Sequence, residues 1–374
     1  MLVDVQPVPF VDLGAMNAAV KARILDDVAA LLDSGQFTNG PQVEEFERAF
    51  AAYCRRPCCV GVANGTDALR LALIAGGLEP GDEVLVPANT FVATFEAISQ
   101  AGGVPVPVDV SERDYNLDVA AAEAALTPRT RFVVPVHLYG QLSDMHAVTA
   151  LADRAGLAIL EDACQAHGAR RDGYRAGGSG FAAAFSFYPA KNLGAIGDAG
   201  ALVLDDTSLD ADLRALREHG QRQKYRHVRE GFTSRLDTIQ AVVLLRKLPL
   251  LEAWNAQRRQ AASYYDEALA GIGDLRVPPV PAGSEPVRHL YPVRTERREA
   301  LADALTARGI AVGRHYPEPP HLSAAYVHLR HREGEFPLTE ALAEELLSLP
   351  LFPGITEEQL ATVTAAIADF FNGG

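Results

Sequence analysis

The fold class is decided by one strand–helix–strand pattern: Arg131-Phe-Val-Val134, the helical residues 144–155 and Leu157-Ala-Ile-Leu160. The same alternation extends from about residue 58 to 205, with apolar runs at 59–62, 83–86 and 104–108 and helical patterns over 66–75, 90–100 and 119–126. It predicts crossover units and a largely parallel sheet covered by helices on both faces. After residue 180, the strands 181–188 and 199–204 follow with little helix between them, so we expect a mixed sheet.

A smaller α/β unit is expected at the C-terminal end. Helices are predicted over 208–219 and 238–270, and Pro249 should kink or break the second one. The Pro-rich residues 277–286 predict an irregular link, which a strand (290–294), a helix (298–308), a strand (311–315) and a helix (356–371) follow. We therefore predict a large domain over 1–255, with an N-terminal arm, and a small domain over 256–374.

Charge, apolar run length and cysteine spacing exclude several classes of protein. The 374 residues carry a formal charge of −14, which argues against nucleic-acid binding, since that requires a basic surface. The apolar runs fall well short of the ~18 residues that span a membrane, and no secretory signal opens the chain, so a cytoplasmic protein without membrane partners is expected. The four cysteines form no CxxC pair, and no metal site is predicted.

Three strand ends carry polar residues, and ligands of open α/β sheets bind at the carboxyl ends of the strands. The turn at Gly65 and Thr66 begins a helix whose free N–H groups suit a phosphate, although an ordinary capped turn is the alternative. Asp162 ends an apolar run, where its carboxylate needs a cation or strong hydrogen-bond donors. The alternative is a structural Asp whose hydrogen bonds are satisfied within the protein. Gln165 and His167 lie in the same loop and can add hydrogen bonds.

The third strand end leads into Ser186-Phe-Tyr-Pro-Ala-Lys191-Asn-Leu-Gly194. Only four of the 34 Lys and Arg residues are lysines, and a desolvated lysine, unlike arginine, can lose its proton and attack a carbonyl. Lys191 is therefore a candidate Schiff-base lysine, with a solvated surface lysine as the alternative, and the Ser186 hydroxyl could reach a phosphate. A phosphate turn, a carboxylate and a lysine are together the parts of a pyridoxal 5′-phosphate (PLP) site.

At these residues the chain resembles the DegT/DnrJ/EryC1/StrS family of PLP-dependent sugar aminotransferases, of PLP fold type I (aspartate aminotransferase-like). The similarity runs almost end to end. It is carried by Val8-Pro-Phe-Val-Asp-Leu13, Asn64-Gly-Thr-Asp-Ala-Leu69, Pro87-Ala-Asn-Thr-Phe91, Val136-His-Leu-Tyr-Gly140, Glu161-Asp-Ala-Cys-Gln-Ala-His-Gly168, Phe185-Ser-Phe-Tyr-Pro-Ala-Lys-Asn-Leu-Gly194, Gly231-Phe-Thr-Ser-Arg-Leu-Asp237, His315-Tyr-Pro317 and Leu347-Ser-Leu-Pro-Leu-Phe-Pro353.

The resemblance implies a role for each matching position. Lys191 would form the Schiff base, Asp162 would pair with the pyridine nitrogen, and Gln165 would lie near the ring hydroxyl. The phosphate would be held by Gly65, Thr66 and Ser186, and Phe91 would stack on the ring. The resemblance also implies a homodimer with a shared active site, to which the partner contributes residues 231–237. There the family usually has Asn where this chain has Thr233, so we expect the phosphate contact to be weaker, mediated by water or made by Ser234.

The implied reaction transfers an amino group from an amino acid, with glutamate expected, to a nucleotide-linked keto sugar by way of PLP and its amine form, PMP. The basic loop around Lys224 and Tyr225 and the segment at His315 and Tyr316 resemble enzymes that aminate 3-keto-6-deoxyhexoses for antibiotic and other deoxysugar biosynthesis. We therefore expect amination at C3 of a dTDP-linked sugar, with C4 as the alternative. A solvated charged face and a packed strand end are the simpler interpretations of these two segments.

Two further substrate candidates are His167 and Tyr188, which lie in the segments that carry the cofactor residues. Two other classes of protein stay open. A PLP enzyme acting on amino acids would need an arginine for the α-carboxylate, and a catalytically silent relative would only bind a ligand.

Overall fold

The computed structural model describes residues 7–373. In chain order, its strands are β1 (Cys58–Val62), β2 (Glu83–Pro87), β3 (Val104–Val108), β4 (Thr130–Val133), β5 (Ala158–Asp162), β6 (Arg170–Arg171), β7 (Tyr174–Arg175), β8 (Ala182–Ser186), β9 (Gly200–Leu204), β10 (Gln221–Gln223), β11 (Arg226–His227), β12 (Ser284–Glu285), β13 (Tyr291–Arg294) and β14 (Leu346–Leu349). The α-helices are α1 (Leu13–Ala18), α2 (Lys21–Ser34), α3 (Pro41–Cys54), α4 (Gly65–Ala75), α5 (Val92–Gln100), α6 (Val119–Ala124), α7 (Met145–Ala155), α8 (Thr207–Arg217), α9 (Thr238–Lys247), α10 (Leu251–Ala268), α11 (Arg298–Ala307), α12 (Pro337–Glu345) and α13 (Glu357–Asn372).

A seven-stranded sheet in the order β1-β9-β8-β5-β4-β2-β3 forms the centre. The strands from β8 to β3 run parallel, whereas β9 lies antiparallel between β1 and β8. The predicted mixed, mostly parallel sheet is therefore confirmed. The reversed strand follows from the short connection after β8, which contains the Lys191 loop and no helix.

Both faces of this sheet are buried. Successive residues of β9 point to opposite cores: Val203 packs with α3, α7 and α9 on one face, and Leu202 packs with α4, α5 and α8 on the other. Strands of a sheet that helices cover on both faces have no polar side, and this explains the continuous apolar runs in the sequence. The sheet thereby fixes the strand ends that carry the polar residues.

The C-terminal part is built around the antiparallel pair β13–β14, packed against α10, α11 and α13. The predicted strand over 311–315 is wrong. Of these residues only Gly313 forms a bridge, to Ser348, and the preceding residue Ile310 forms one to Val8. Strand β14 instead occupies the edge of β13, and the chain turns away after Gly313 toward the site.

The predicted break at Pro249 is confirmed, because a short 3-10 turn over Leu248–Leu250 separates α9 from α10. Helix α10 itself runs through the predicted boundary at 255/256, so the division into two domains stays a prediction. Helices α1–α3 and α12 and strand β14 were not predicted from the sequence.

No helix within residues 7–373 combines the length and apolar character needed to cross a membrane. The same residues contain no group of three or more His, Cys, Asp or Glu side chains placed to hold a metal ion.

Candidate functional site

A cavity of about 410 Å³ lies at the carboxyl ends of the central strands. Chain segments at the ends of five strands line it: those after β1, β2 and β4, the end of β5 and the loop after β8. Ten of the residues predicted from the sequence line it, namely Gly65, Thr66, Phe91, Asp162, Gln165, Ser186, Tyr188, Lys191, His315 and Tyr316.

The start of α4 forms one wall. Asn64 caps the helix by accepting from the Asp67 N–H at 2.8 Å, and the Ala68 N–H donates to the Asn64 carbonyl. The first N–H groups of a helix have no intrahelical acceptor, so those of Gly65 and Thr66 remain for a ligand. A Cβ built on Gly65 would lie 2.8 Å from Ser186 Cβ and 2.9 Å from Cys164 Sγ. Only glycine therefore allows the helix start to approach the end of β8 this closely.

Asp162 ends β5 and is only 6% exposed. Its Oδ2 accepts from the Thr94 hydroxyl at 2.9 Å and its Oδ1 accepts from the Cys164 N–H at 3.2 Å. Thr94 in turn lies 2.9 Å from the Thr90 hydroxyl. The carboxylate is thus held in a fixed orientation at the cavity wall, with neutral donors rather than a cation as its partners.

Lys191 lies in the loop that leaves β8, and its Nζ makes no hydrogen bond or ion pair with any residue in the described range 7–373. Burial lowers the pKa of Lys191, while Cys164 and Asp162 act in the opposite direction. The loop is held from below, because the buried Lys247 ammonium donates to the Gly194 carbonyl at 2.7 Å. Lys191 is therefore a partly desolvated amine on an anchored loop.

An aromatic group closes the cavity on the side of the C-terminal part. The Tyr316 ring lies 5.2 Å from that of Phe91, and the Gln165 side-chain amide donates to the Tyr316 hydroxyl at 3.1 Å. Burial lowers the pKa of His315 to about 4, with Lys191 as a further cause, so this imidazole is neutral at pH 7. Its Nδ1 lies 2.9 Å from the Ser348 hydroxyl.

The sequence matches the model of the DegT/DnrJ/EryC1/StrS aminotransferase family over residues 18–368. The chain belongs to this family.

Three matches to known proteins and structures extend this result. The dTDP-3-amino-3,4,6-trideoxy-alpha-D-glucose transaminase of Streptomyces venezuelae is 48% identical over 363 residues, which is 97% of this chain and 96% of the relative. The crystal structure of S. venezuelae DesV in complex with a ketimine intermediate matches with a TM-score of 0.95 at 48% identity, covering 97% of this chain and 98% of that one. Bacillus subtilis NtdA with bound cofactor PMP matches with a TM-score of 0.92 at 31% identity, covering 99% and 86%. The predicted fold of the PLP sugar aminotransferases is confirmed.

Not every predicted residue of this aminotransferase reaches the cavity. His167 is fully buried behind the wall, with its ring 5.3 Å from that of Phe185 and 5.6 Å from that of Phe187. Burial lowers the pKa of His167 to about 3, with the charge of Lys191 as the next cause. Its placement does not support the direct substrate contact that we predicted, because the ring is a neutral part of the core beneath the site.

Two predicted segments lie outside the cavity of their own chain: residues 231–237, which the family resemblance assigned to a partner, and the basic loop around Lys224 and Tyr225. Thr233 is exposed, with its hydroxyl 3.3 Å from the His219 ring. Tyr225 is 80% exposed beside Lys224 in the β10–β11 hairpin. The placement of Ser234 does not support it as the alternative phosphate donor, because its buried hydroxyl donates to Asp67 of the same chain at 2.7 Å.

Among the cavity residues that the sequence analysis did not predict as site residues, three bear on the chemistry: Thr94, His289 and Arg258. Thr94, which orients Asp162, follows Phe91 by one helical turn and could have been found from that spacing. His289 and Arg258 line the cavity from the C-terminal part, and no local sequence signal distinguishes them from core residues.

Proposed function

We propose that the chain is a PLP-dependent aminotransferase that moves an amino group from L-glutamate to C3 of a dTDP-linked 3-keto-6-deoxyhexose. The product is a 3-amino sugar for glycoside or antibiotic biosynthesis. The observation that carries the reaction is that one cavity brings together a desolvated lysine, an oriented carboxylate and an open helix start. The name of the Streptomyces relative, a transaminase of a dTDP-3-amino sugar, supports the choice of C3.

The residues present fit the phosphorylated cofactor. The N–H groups at Gly65 and Thr66, beside the Ser186 hydroxyl, would hold the phosphate. Asp162 would face the pyridine nitrogen, and the half-exposed ring of Phe91 would cover one face of the cofactor. When bound, PLP supplies an electron sink for the bonds of the amine-bearing carbon.

Each side chain then has a definite task. The Asp162 carboxylate would keep a proton on the ring nitrogen, since Thr94 and Cys164 leave its charge uncompensated. Lys191 Nζ would carry the proton between the amine-bearing carbon of the substrate and C4′ of the bound cofactor. Burial lowers its pKa, which raises the fraction of neutral amine available for that role. Gln165 fixes the Tyr316 hydroxyl and thereby the aromatic wall.

We propose that the active enzyme is a cytoplasmic homodimer. Lys224, Tyr225 and Thr233 are exposed away from their own cavity, as expected if they act at the partner's site. Subunit mixing tests this. Lys191→Ala subunits and Lys224→Ala/Tyr225→Ala subunits, each inactive alone, should regain activity when mixed. Failure to regain activity after exchange of labelled subunits has been verified would contradict the shared site.

The reaction is tested by incubating the enzyme, PLP and glutamate with dTDP-3-keto- and dTDP-4-keto-6-deoxy sugars, and by locating the amine in the product by mass spectrometry and NMR. Glutamate alone should bleach the absorbance of the bound cofactor. Lys191→Ala should abolish turnover, while the exposed Lys21→Ala serves as the matched control. An amine at C4 alone would refute the assignment to C3, and a spectrum unchanged by glutamate would refute the donor.

A further inference from the structure

Ser234 attaches residues 231–237 to the start of helix α4 in the same chain. Its hydroxyl is fully buried, donates to Asp67 Oδ2 at 2.7 Å and accepts from the Ala63 N–H at 3.3 Å. Asp67 lies in the first turn of α4, and Ala63 lies two residues before the helix begins. The two contacts therefore lie on either side of the turn at Gly65, whose open N–H groups would hold the cofactor phosphate.

Phe232 makes a second attachment to the same helix. The guanidinium carbon of Arg70 lies 4.4 Å from the centroid of the Phe232 ring, and Arg70 donates to Asp67 Oδ1 at 2.6 Å. The Asp67 carboxylate thus joins both attachments, since its other oxygen accepts from Ser234. Hydrogen bonds to a charged acceptor are stronger than those between neutral groups, so this carboxylate holds the segment firmly.

Thr233 lies between these two residues and points the opposite way. The chain is extended at Thr233, which forms an antiparallel bridge with Glu218 at the end of helix α8. Successive side chains of an extended segment face opposite sides. Phe232 and Ser234 consequently face α4, and the Thr233 side chain is exposed on the other side.

Removal of the Ser234 hydroxyl should shift the segment rather than leave it in place. The Ala63 N–H and Asp67 Oδ2 would each lose a hydrogen-bond partner, and unpaired polar groups away from solvent are costly. A water molecule could replace both hydrogen bonds, but it needs more room than the deleted oxygen. Residues 231–237 would have to move away from α4 to admit it, and this changes the direction in which Thr233 is presented.

We propose that Ser234 and Phe232 are positioning residues that link the two active sites of the dimer through α4. The start of the helix would hold the cofactor phosphate of its own chain, while Asp67 and Arg70 fix the segment that presents Thr233 to the phosphate of the partner's site. Loss of either attachment should therefore weaken cofactor binding in the other subunit. This inference rests on the proposed shared site and adds the residues that align its two halves.

Mixed dimers test the link, because they separate effects within one chain from effects on the other. One subunit keeps Lys191, the other carries both Lys191→Ala and Ser234→Ala, and different affinity tags allow the mixed species to be isolated. Only the first subunit can bind PLP covalently, so the absorbance of covalently bound cofactor reports one site during titration of cofactor-stripped protein. The Kd of this site for PLP should weaken about 3- to 10-fold relative to a mixed dimer whose second subunit carries Lys191→Ala alone.

Further variants of the second subunit set the scale and the control. Thr233→Val removes the hydroxyl that would reach the phosphate, and Ser234→Ala should weaken binding no further once Thr233→Val is present, since both act through one contact. Phe232→Leu should act like Ser234→Ala, and it decides the question if Ser234→Ala folds poorly. Ser143→Ala should leave the Kd unchanged, because that hydroxyl is equally buried but donates to the Val136 carbonyl instead.

The outcomes distinguish the link from the functions on which it rests. A weaker Kd only when Ser234→Ala lies in the subunit that keeps Lys191 would show that Ser234 supports its own helix start, and would overturn the proposal. If Thr233→Val weakens binding in the other subunit but neither Ser234→Ala nor Phe232→Leu does, the shared site stands and the link is refuted. If Thr233→Val has no effect there, the shared phosphate contact fails and the link fails with it. The titration needs no sugar, so a failure to aminate a dTDP-linked sugar would refute the proposed reaction alone.

Discussion

Replacement of Gly65 by alanine probes the closest approach in the site. The added Cβ would lie 2.8 Å from Ser186 Cβ, about 0.7 Å inside the ~3.5 Å at which carbon atoms make favourable contact. Overpacking of this kind costs about 1–3 kcal/mol. In the cofactor-free protein Ser186 can shift toward the cavity, whereas bound phosphate requires the native arrangement. Most of the cost should therefore appear in cofactor affinity.

We expect Gly65→Ala to weaken the Kd for PLP about 5- to 150-fold, at ~1.4 kcal/mol for each factor of ten. Titration of PLP into cofactor-stripped protein measures this, and urea unfolding of the same protein should change by less than about 1 kcal/mol. Gly14→Ala is the control, because its Cβ meets only a flexible carboxylate oxygen, at 3.3 Å. Adding Cys164→Ala removes one of the two contacts and should restore part of the affinity. An unchanged Kd in Gly65→Ala would refute the steric reasoning.

Three other predictions concern the contribution of one buried side chain to the free energy of unfolding. Thr94→Val removes the donor to Asp162 and should destabilise the protein by about 1.5–3 kcal/mol in urea unfolding, whereas Thr94→Ser should keep most of that energy. Burial lowers the pKa of Lys247 to about 8 from 10.5. Because the unfolded chain binds a proton that the folded chain has lost, the free energy of unfolding should rise between pH 8 and 10.5, by at most ~3 kcal/mol. Comparison with Lys247→Met across this range checks it, and equal slopes in the two proteins would contradict it. Phe50→Ala, which removes a fully buried ring within 5.0–6.0 Å of four others, should cost about 3–5 kcal/mol by the same assay.

Much of the fold was predictable because its signals are local. Apolar runs and helical periodicity placed the seven strands of the central sheet to within one or two residues for most ends, and Pro249 marked the break before α10. The pairing of β13 with β14 was not predictable in this way. It joins segments about 55 residues apart, and residues 311–315 offered another candidate strand in the same part of the chain.

The candidate site likewise contains residues that could be predicted from the sequence and contacts that could not. Asp162 and Ser186 could be predicted because parallel strands end at a common edge, so polar residues at strand ends must meet there. The hydrogen bond from Gln165 to Tyr316 could not, since it spans 151 positions and depends on how the C-terminal part packs. His167 looked like its neighbours in sequence, yet the loop turns its ring into the core.

The sequence by itself determined the alternation of strands and helices between about residues 58 and 205, the polar residues at the strand ends and the position of the lysine. Each of these follows from short-range patterns of polarity and chain stiffness. Only the tertiary structure decided which donors orient the carboxylate of Asp162 and which histidine is removed from the site. Those properties depend on burial and hydrogen-bond direction between distant segments, and no local pattern encodes them.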